Sequence, residues 1–228
     1  MKPFLIAGGM AAVVCLGMLG ADKIADHEKR FRESAAVFGE IRRTPDKGIP
    51  QDLLDRSTCV AIVPGLKRAG FIVGAKYGKG VLTCRTPGGW SALSTIRIEG
   101  GSVGLQIGAG ETDLVLLVMN ERGKTKLLED KFTVGADASV MAGPVGRSAQ
   151  AATDAQLHAE ILAYSRARGL FGGVSLEGAT LRPDTDDNHD IYGASARQSE
   201  IVSGKFPATA ASQPLITELT KDSPTEKK

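Results

Sequence analysis

The chain of 228 residues is 42% hydrophobic and 24% charged, which suits one well-buried domain of ordinary globular composition. A net charge of +2 sets up no global field for nucleic acid, and aromatics at 5% are too sparse for base-stacking platforms. No nucleic acid is therefore expected as a partner.

The N-terminus reads as an address. Lys2 precedes an apolar stretch from Phe4 to Leu19, followed by Gly20-Ala21 and charged Asp22-Lys23. A basic start, a short apolar core and small residues at its end describe a secretory signal. Leu19-Gly20-Ala21 departs from the Ala-x-Ala pattern, so residues 1–21 read either as a signal peptide cleaved near Ala21 or as a retained N-terminal anchor. Lipid attachment at Cys15 is a weaker alternative, because Val14 stands where a small residue is wanted. Export would place the protein in the periplasm or at an envelope membrane.

From Asp22 to Arg43, Ile24, Phe31 and Phe38 recur every seven residues with Ala35 and Ile41 beside them, and charges fill the rest. This spacing predicts an amphipathic helix with a narrow apolar stripe, ended by Thr44-Pro45. A second short helix is expected after Pro50, through Leu53 and Leu54. The pattern then turns to β, with short strands at Cys59–Val63, Gly70–Tyr77 and Val81–Arg85 separated by Pro64-Gly65 and Gly78-Lys79-Gly80. In an oxidising compartment Cys59 and Cys84 can pair, a link worth about 3 kcal/mol in the chain-entropy picture. The alternative is two buried free thiols.

After a turn at Thr86–Gly89, Trp90–Glu99 leads into a glycine-rich run from Gly100 to Met119. At period two, Gly101, Val103, Leu105, Ile107 and Ala109 share one face, while Gly100, Ser102, Gly104, Gln106, Gly108 and Gly110 share the other. One strand with a nearly bare face is expected, and glycine inside a strand implies close approach of something to the backbone. Nucleotide motifs do not account for it. Gly108-Ala-Gly110-Glu-Thr-Asp113 lacks the third glycine of a dinucleotide fingerprint, and Gly74–Gly80 is too short for a phosphate loop.

Leu114–Met119, apolar on both faces, reads as a central strand. Asn120–Gly123 reads as a turn into Lys126–Val134. His158–Arg166 and Gly173–Leu181 read as later strands, although Ala151–Arg168 reads equally well as a helix. Asp184–Asn188 reads as a turn or helix cap, Ala208–Thr220 as a last short helix, and 221–228 as a disordered tail. The simplest account is one α+β domain over residues 22–220. Its core would be a mostly antiparallel, glycine-rich β-sheet, with an N-terminal amphipathic helix and short C-terminal helices.

Catalytic chemistry finds little support. His27, His158 and His189 stand away from any zinc-spaced cysteines and read as surface or packing residues. Ser102 and Ser175 miss the nucleophile-elbow pattern. Asp184, Asp186 and Asn188 have the first spacings of a calcium loop, but His189 replaces its glycine and Ser195 its final glutamate, so a capped turn is the better reading. No catalytic residue, metal site or cofactor is expected, and the protein is not expected to be an enzyme. What remains is surface chemistry. Lys29, Arg30 and Arg32 beside Phe31 and Phe38 suit an interfacial helix on anionic lipid, with Lys67, Arg68, Lys76 and Lys79 as a second basic group. The competing reading is a solvated charged face with the apolar stripe packed on the sheet.

Gly70-Phe-Ile-Val-Gly-Ala-Lys-Tyr-Gly-Lys-Gly-Val81, Trp90-Ser91, the Gly100–Met119 run, Gly135-Ala136, Ala142–Arg147, Tyr164-Ser165, Gly169–Gly178 and Asn188–Gly193 occur in order. Together they resemble the SYLF domain over roughly residues 30–220. The resemblance implies lipid or membrane association, since eukaryotic members bind phosphoinositide membranes and fungal members also bind actin. In animal relatives an N-terminal amphipathic helix is implicated, and residues 24–43 correspond to it. An exported, bacterial-type member meets neither actin nor phosphoinositides. The expected function is thus non-enzymatic binding of an anionic phospholipid membrane surface in a bacterial cell envelope. The alternative is a structural or protein-interaction envelope factor whose glycine-lined strand receives a partner segment.

Overall fold

The computed structural model describes residues 11–44, 48–70, 73–103, 108–144, 159–167, 170–172, 176 and 178–224. The first ten residues, Gly104–Ile107, the stretch 145–158 with His158, Gly173–Ser175 and the last four residues lie outside them. Two helices open the fold, α1 (Ala11–Arg43) and α2 (Gln51–Arg56). The strands β1 (Cys59–Gly70), β2 (Val73–Thr86), β3 (Gly89–Trp90), β4 (Ser94–Val103) and β5 (Gly108–Val118) follow. After α3 (Glu121–Leu127) come β6 (Phe132–Thr133), β7 (Val140–Ala142), β8 (Ile161–Ala167), β9 (Leu170–Gly172) and β10 (Thr180–Pro183). The chain closes with α4 (Thr185–Tyr192), α5 (Gln198–Val202), a 3-10 turn and α6 (Gln213–Asp222). Among the described residues no helix is long and apolar enough to cross a membrane.

The strands form one sheet in the order β6-β10-β4-β2-β1-β5-β8-β7, with β3 on β2 and β9 on β8. The pairings are antiparallel except β7 with β8. This is the expected α+β class. Alternation along the central strands divides the interior in two. Val60, Ile62, Val81, Val115 and Leu117 point to one face, where Phe31, Phe38 and Ile41 of α1, Leu53 and Leu54 of α2 and Leu215 and Leu219 of α6 cover them. Cys59, Ala61, Val63, Leu82, Leu114 and Leu116 point to the other, where Ile96, Ile98, Phe132 and Leu181 join them as the sheet curls upon itself. Phe31, Phe38, Ile41, Leu54, Ile62 and Leu66 are all within 2% of complete burial, each worth about 1.5–3 kcal/mol of transfer free energy.

The α1 stripe runs His27, Phe31, Ser34, Ala35, Phe38, Ile41, every one buried, at the three- and four-residue steps of a helix face. Ile24, placed in the stripe by its seven-residue spacing, is 58% exposed. The helix also begins upstream of Asp22, at Ala11.

Three local expectations yield to long-range pairing. Pro64-Gly65 is not a turn but a bulge inside β1, where the register on both β2 and β5 shifts. Proline has no ladder N–H and Gly65 sits at φ +56°, a conformation that favours glycine. Gly78 and Gly80, expected as a second turn, lie within continuous β2 under that bulge. A Cβ on Gly80 would stand 2.2 Å from the Ile62 carbonyl oxygen, and one on Gly78 would stand 2.8 Å from Val63 Cγ1. The expected single strand across Gly100–Ala109 is divided between β4 and β5, which do not pair, because β2 and β1 lie between them. Close approach is nonetheless real at Gly100, where a Cβ would lie 2.8 Å from Ala179 Cα of the same chain. A fourth expectation gives way to local capping instead: Asn120–Gly123 opens α3, with the Gly123 N–H donating to Asn120 Oδ1 at 2.8 Å as an N-cap.

Cys59 and Cys84 stand directly opposite on β1 and β2 and are joined by a disulfide. At the C-terminus, Arg85 lies 4.4 Å over the Trp90 ring and donates to the Ser57, Leu54 and Ser223 carbonyls, while Trp90 Nε1 donates to Ser223 O. Ser223 is fully buried there.

Gly80→Ala should destabilise the fold by about 1–3 kcal/mol through overpacking against backbone. Gly110→Ala, which meets nothing within 4 Å, should stay within about 0.5 kcal/mol of wild type in the same urea titration. Replacing Cys59 and Cys84 together with serine should cost about 3 kcal/mol, read as a lowered urea midpoint.

Candidate functional site

The bulge in β1 is held from below. Gly65 N–H donates to Asp113 Oδ1 at 3.0 Å, and Asp113 Oδ2 accepts from Arg166 Nη2 at 2.6 Å. Arg166 in turn pairs with Glu40 of α1. These contacts fix Pro64 and Gly65 beneath the charged flank of α1 and leave a groove between helix and sheet. Its first part, about 260 Å³, is lined by Asp26, Lys29, Arg30, Glu33, Lys67, Tyr77 and Lys79. Its second part, about 510 Å³, shares Lys29, Glu33 and Lys67 and continues past Val37 and Glu40 to Asp113 and Arg166. Tyr77 at the first part is 48% exposed and pairs across strands with Lys67.

Behind the groove lies a buried charge cluster between α1, β2 and α4. Arg30 Nη1 donates to Asp187 Oδ2 at 2.6 Å, and Lys79 Nζ lies 3.0 Å from the same oxygen and 2.7 Å from Asp184 Oδ2. Burial works against the Asp187 carboxylate, but hydrogen bonds from Lys79 and Arg30 outweigh it and hold the carboxyl below its usual range. Burial likewise opposes the Lys79 ammonium, and hydrogen bonds to Asp184 and Asp187 overcome it and hold Lys79 above the usual lysine value. The helix that brings these acids is itself anchored by Asn188. That side chain accepts from Thr95 N–H at 2.8 Å and donates to Thr95 O at 3.1 Å, occupying a strand's place on β4.

His27 completes the cluster. Its Nδ1 faces Asp187 Oδ2 and its Nε2 faces Asp190 Oδ2, each at 3.8 Å, and Lys23 caps Asp190 at 2.9 Å. His27, Asp187 and Asp190 are close enough together to hold a metal ion. The sequence reading missed this grouping. Two signals point towards it, the four-residue step from His27 to Phe31 on the buried stripe and the density of aspartates in α4, but only the fold joins them.

Of the residues expected to meet lipid, the structure brings Lys29, Arg30, Lys67 and Lys79 together around one groove. Lys29 and Lys67 are the open ones, with side chains 68% and 74% exposed and carboxylates of Glu33 and Glu111 at 3.9 Å. Arg32 is exposed outside the groove and pairs with Glu28. Arg68 donates to Thr112 Oγ1 at 3.0 Å. Lys76 is buried, and burial with the nearby Arg68 charge pushes its ammonium below the usual value. Phe31 and Phe38 are core residues, so the apolar face of α1 is spent on the sheet rather than offered outward.

Asp187→Asn should cost about 2 kcal/mol or more, because it leaves Arg30 largely buried without its carboxylate, the figure being reduced from the fully buried case for partial solvent screening. A lowered folded pKa gives stability that is complete above the ordinary aspartate range and is lost as pH falls through the folded value. The melting-temperature gap between wild type and Asp187→Asn should therefore be full at neutral pH and close in acid.

Comparison with known proteins agrees with the spaced motifs. The family described as "Ysc84: Las17-binding protein actin regulator" matches residues 99–222. Protein YSC84 of Saccharomyces cerevisiae is 35% identical over 198 residues, covering 85% of this chain and 41% of the yeast protein. LAS seventeen-binding protein 3 of the same yeast is 37% identical over 191 residues, covering 82% of this chain and 40% of the relative. The human SH3 domain-containing YSC84-like protein 1 is 36% identical over 203 residues, covering 87% and 58% respectively. The chain thus spans between two fifths and three fifths of the length of these curated relatives. With the family pattern extending from Glu99 in β4 through α6, the chain belongs to the Ysc84 (SYLF) family.

Proposed function

We propose that this domain is a non-enzymatic binding module at an envelope membrane, and that the groove between α1 and the β1 bulge seats an anionic phospholipid headgroup. The observation that carries this reading is one depression of about 260 Å³ in which Lys29 and Lys67 stand open beside Arg30 and Lys79, the basic side chains outnumbering Asp26 and Glu33 in its lining. Arg30 and Lys79 are neutralised and held in place by Asp187 and Asp184 and frame the depression. Lys29 and Lys67 remain open to an incoming anion, their surface pairs with Glu33 and Glu111 being weak. Tyr77 supplies the amphipathic ring that suits a membrane interface. The envelope location rests on the apolar stretch after Lys2, read as an export address, and on the Cys59–Cys84 bond, chemistry suited to an oxidising compartment.

A second reading is supported by the family description, a Las17-binding actin regulator, and by the name of one relative, LAS seventeen-binding protein 3. In that case the same groove takes an acidic protein segment.

Co-sedimentation of the protein with anionic and neutral vesicles tests the first reading. Binding should appear only with anionic lipid and weaken with salt. Lys29→Ala with Lys67→Ala should reduce it by about 2 kcal/mol, roughly thirtyfold, at about 1 kcal/mol per basic residue near the surface. Equal binding to both vesicle types, or none to either, overturns it.

A further inference from the structure

We propose that His27, Asp187 and Asp190 form a binding site for one divalent transition-metal ion of the zinc class. The site shares Asp187 with Arg30 and Lys79 of the groove wall but does not depend on what the groove binds. An imidazole from α1 meets two carboxylates one turn apart on α4, and one donor atom from each lies within 4.8 Å of the others. The His27 side chain is 7% exposed, and among the described residues neither ring nitrogen has a hydrogen-bond partner. A buried imidazole with both nitrogens unbonded is costly, and such groups call for an occupant.

The spacing fits an ion better than a direct contact. At 3.8 Å each, the His27 nitrogens are too far from Asp187 and Asp190 for hydrogen bonds. Two metal–ligand bonds of about 2.0–2.1 Å, meeting at an angle, place their outer ends about 3.3–4 Å apart, which matches the 3.8 Å between a His27 nitrogen and the carboxylate it faces; a single ion uses one ring nitrogen, and the second carboxylate, within 4.8 Å, closes on it. One imidazole nitrogen with two carboxylate oxygens is a zinc-type donor set with room for water, whereas calcium asks for six to eight oxygens.

Charge decides which contact gives way. Asp187 is shared with Arg30 and Lys79, whose bonds at 2.6 and 3.0 Å are partly buried and persist. Among the described residues Asp190 carries only Lys23 and the distant His27, and the Lys23 side chain is 63% exposed. An exposed pair of this kind is worth little, so a divalent ion displaces the ammonium at small cost. Bound there, the ion links α1 to α4 directly.

The test is calorimetric titration of the untagged, chelator-stripped full chain with zinc, with calcium as comparison, together with melting curves. Wild type should bind one zinc per chain with a raised melting temperature and show no comparable response to calcium. His27→Gln and Asp190→Asn should each weaken binding by at least about tenfold, the loss that even an outer-shell partner brings. Lys23→Ala should tighten it by about two- to fivefold by removing the competing cation, a gain that a purely structural role for Lys23 does not produce. If His27→Gln fails to fold, the more exposed Asp190→Asn decides. The proposal is overturned if wild type takes up no zinc saturably, or if binding survives His27→Gln and Asp190→Asn unchanged.

Discussion

The fold turns on how closely two backbones approach where β1 bulges over β2. Side chains at positions 78 and 80 would collide with Val63, Leu66 and the Ile62 carbonyl, so the two glycines are what allow β1 to deviate without leaving the sheet. From that deviation follow the position of Pro64 and Gly65, the Asp113–Arg166–Glu40 relay beneath them and the gap under α1. The glycines weaken the strand locally, a loss offset by the ladder that β1 keeps on both sides.

One helix performs three tasks because its faces point three ways. The stripe of Phe31, Phe38 and Ile41 closes one core. The flank with Lys29 and Glu33 walls the groove. His27 and Arg30 turn towards α4 and its aspartates. The charges on this helix thus divide by burial into two kinds. Arg30 is neutralised by a fixed partner and acts as scaffold, whereas Lys29 meets its carboxylate only at the surface and stays available.

Much of this architecture is legible in the residues, and the failures share a cause. Helix faces are local, so Phe31, Phe38, Leu53 and Leu54 announce their burial by spacing alone. The unbroken apolar run from Leu114 to Val118 likewise announces a strand covered on both sides, and all five residues are buried. Glycine is ambiguous, because a turn and a bulge call for the same residue and only the neighbouring strand tells them apart. Period-two alternation fails across Gly100–Ala109 for the same reason, since it reports a strand's faces and not its partners. Asn120 is readable as a helix cap from its own type, with Glu121 in the first turn, but the glycine three residues after it favours a turn. The His27 cluster joins positions from opposite ends of the chain, and no local pattern carries that information.

The disulfide has a role beyond its stability. Sliding β1 by one residue against β2 would exchange the residues that face α1 for those that face the curled interior, because successive side chains alternate. The bulge at Pro64-Gly65 makes such a slip imaginable, since β1 already holds two different alignments on either side of it. Cys59 and Cys84 pair upstream of the bulge, in the alignment that sends Val60 and Ile62 to one core and Cys59 and Ala61 to the other. Once closed, the bond lets only one of the competing alignments survive. It acts as a proofreading mark on strand pairing, and guards which side of the sheet is which.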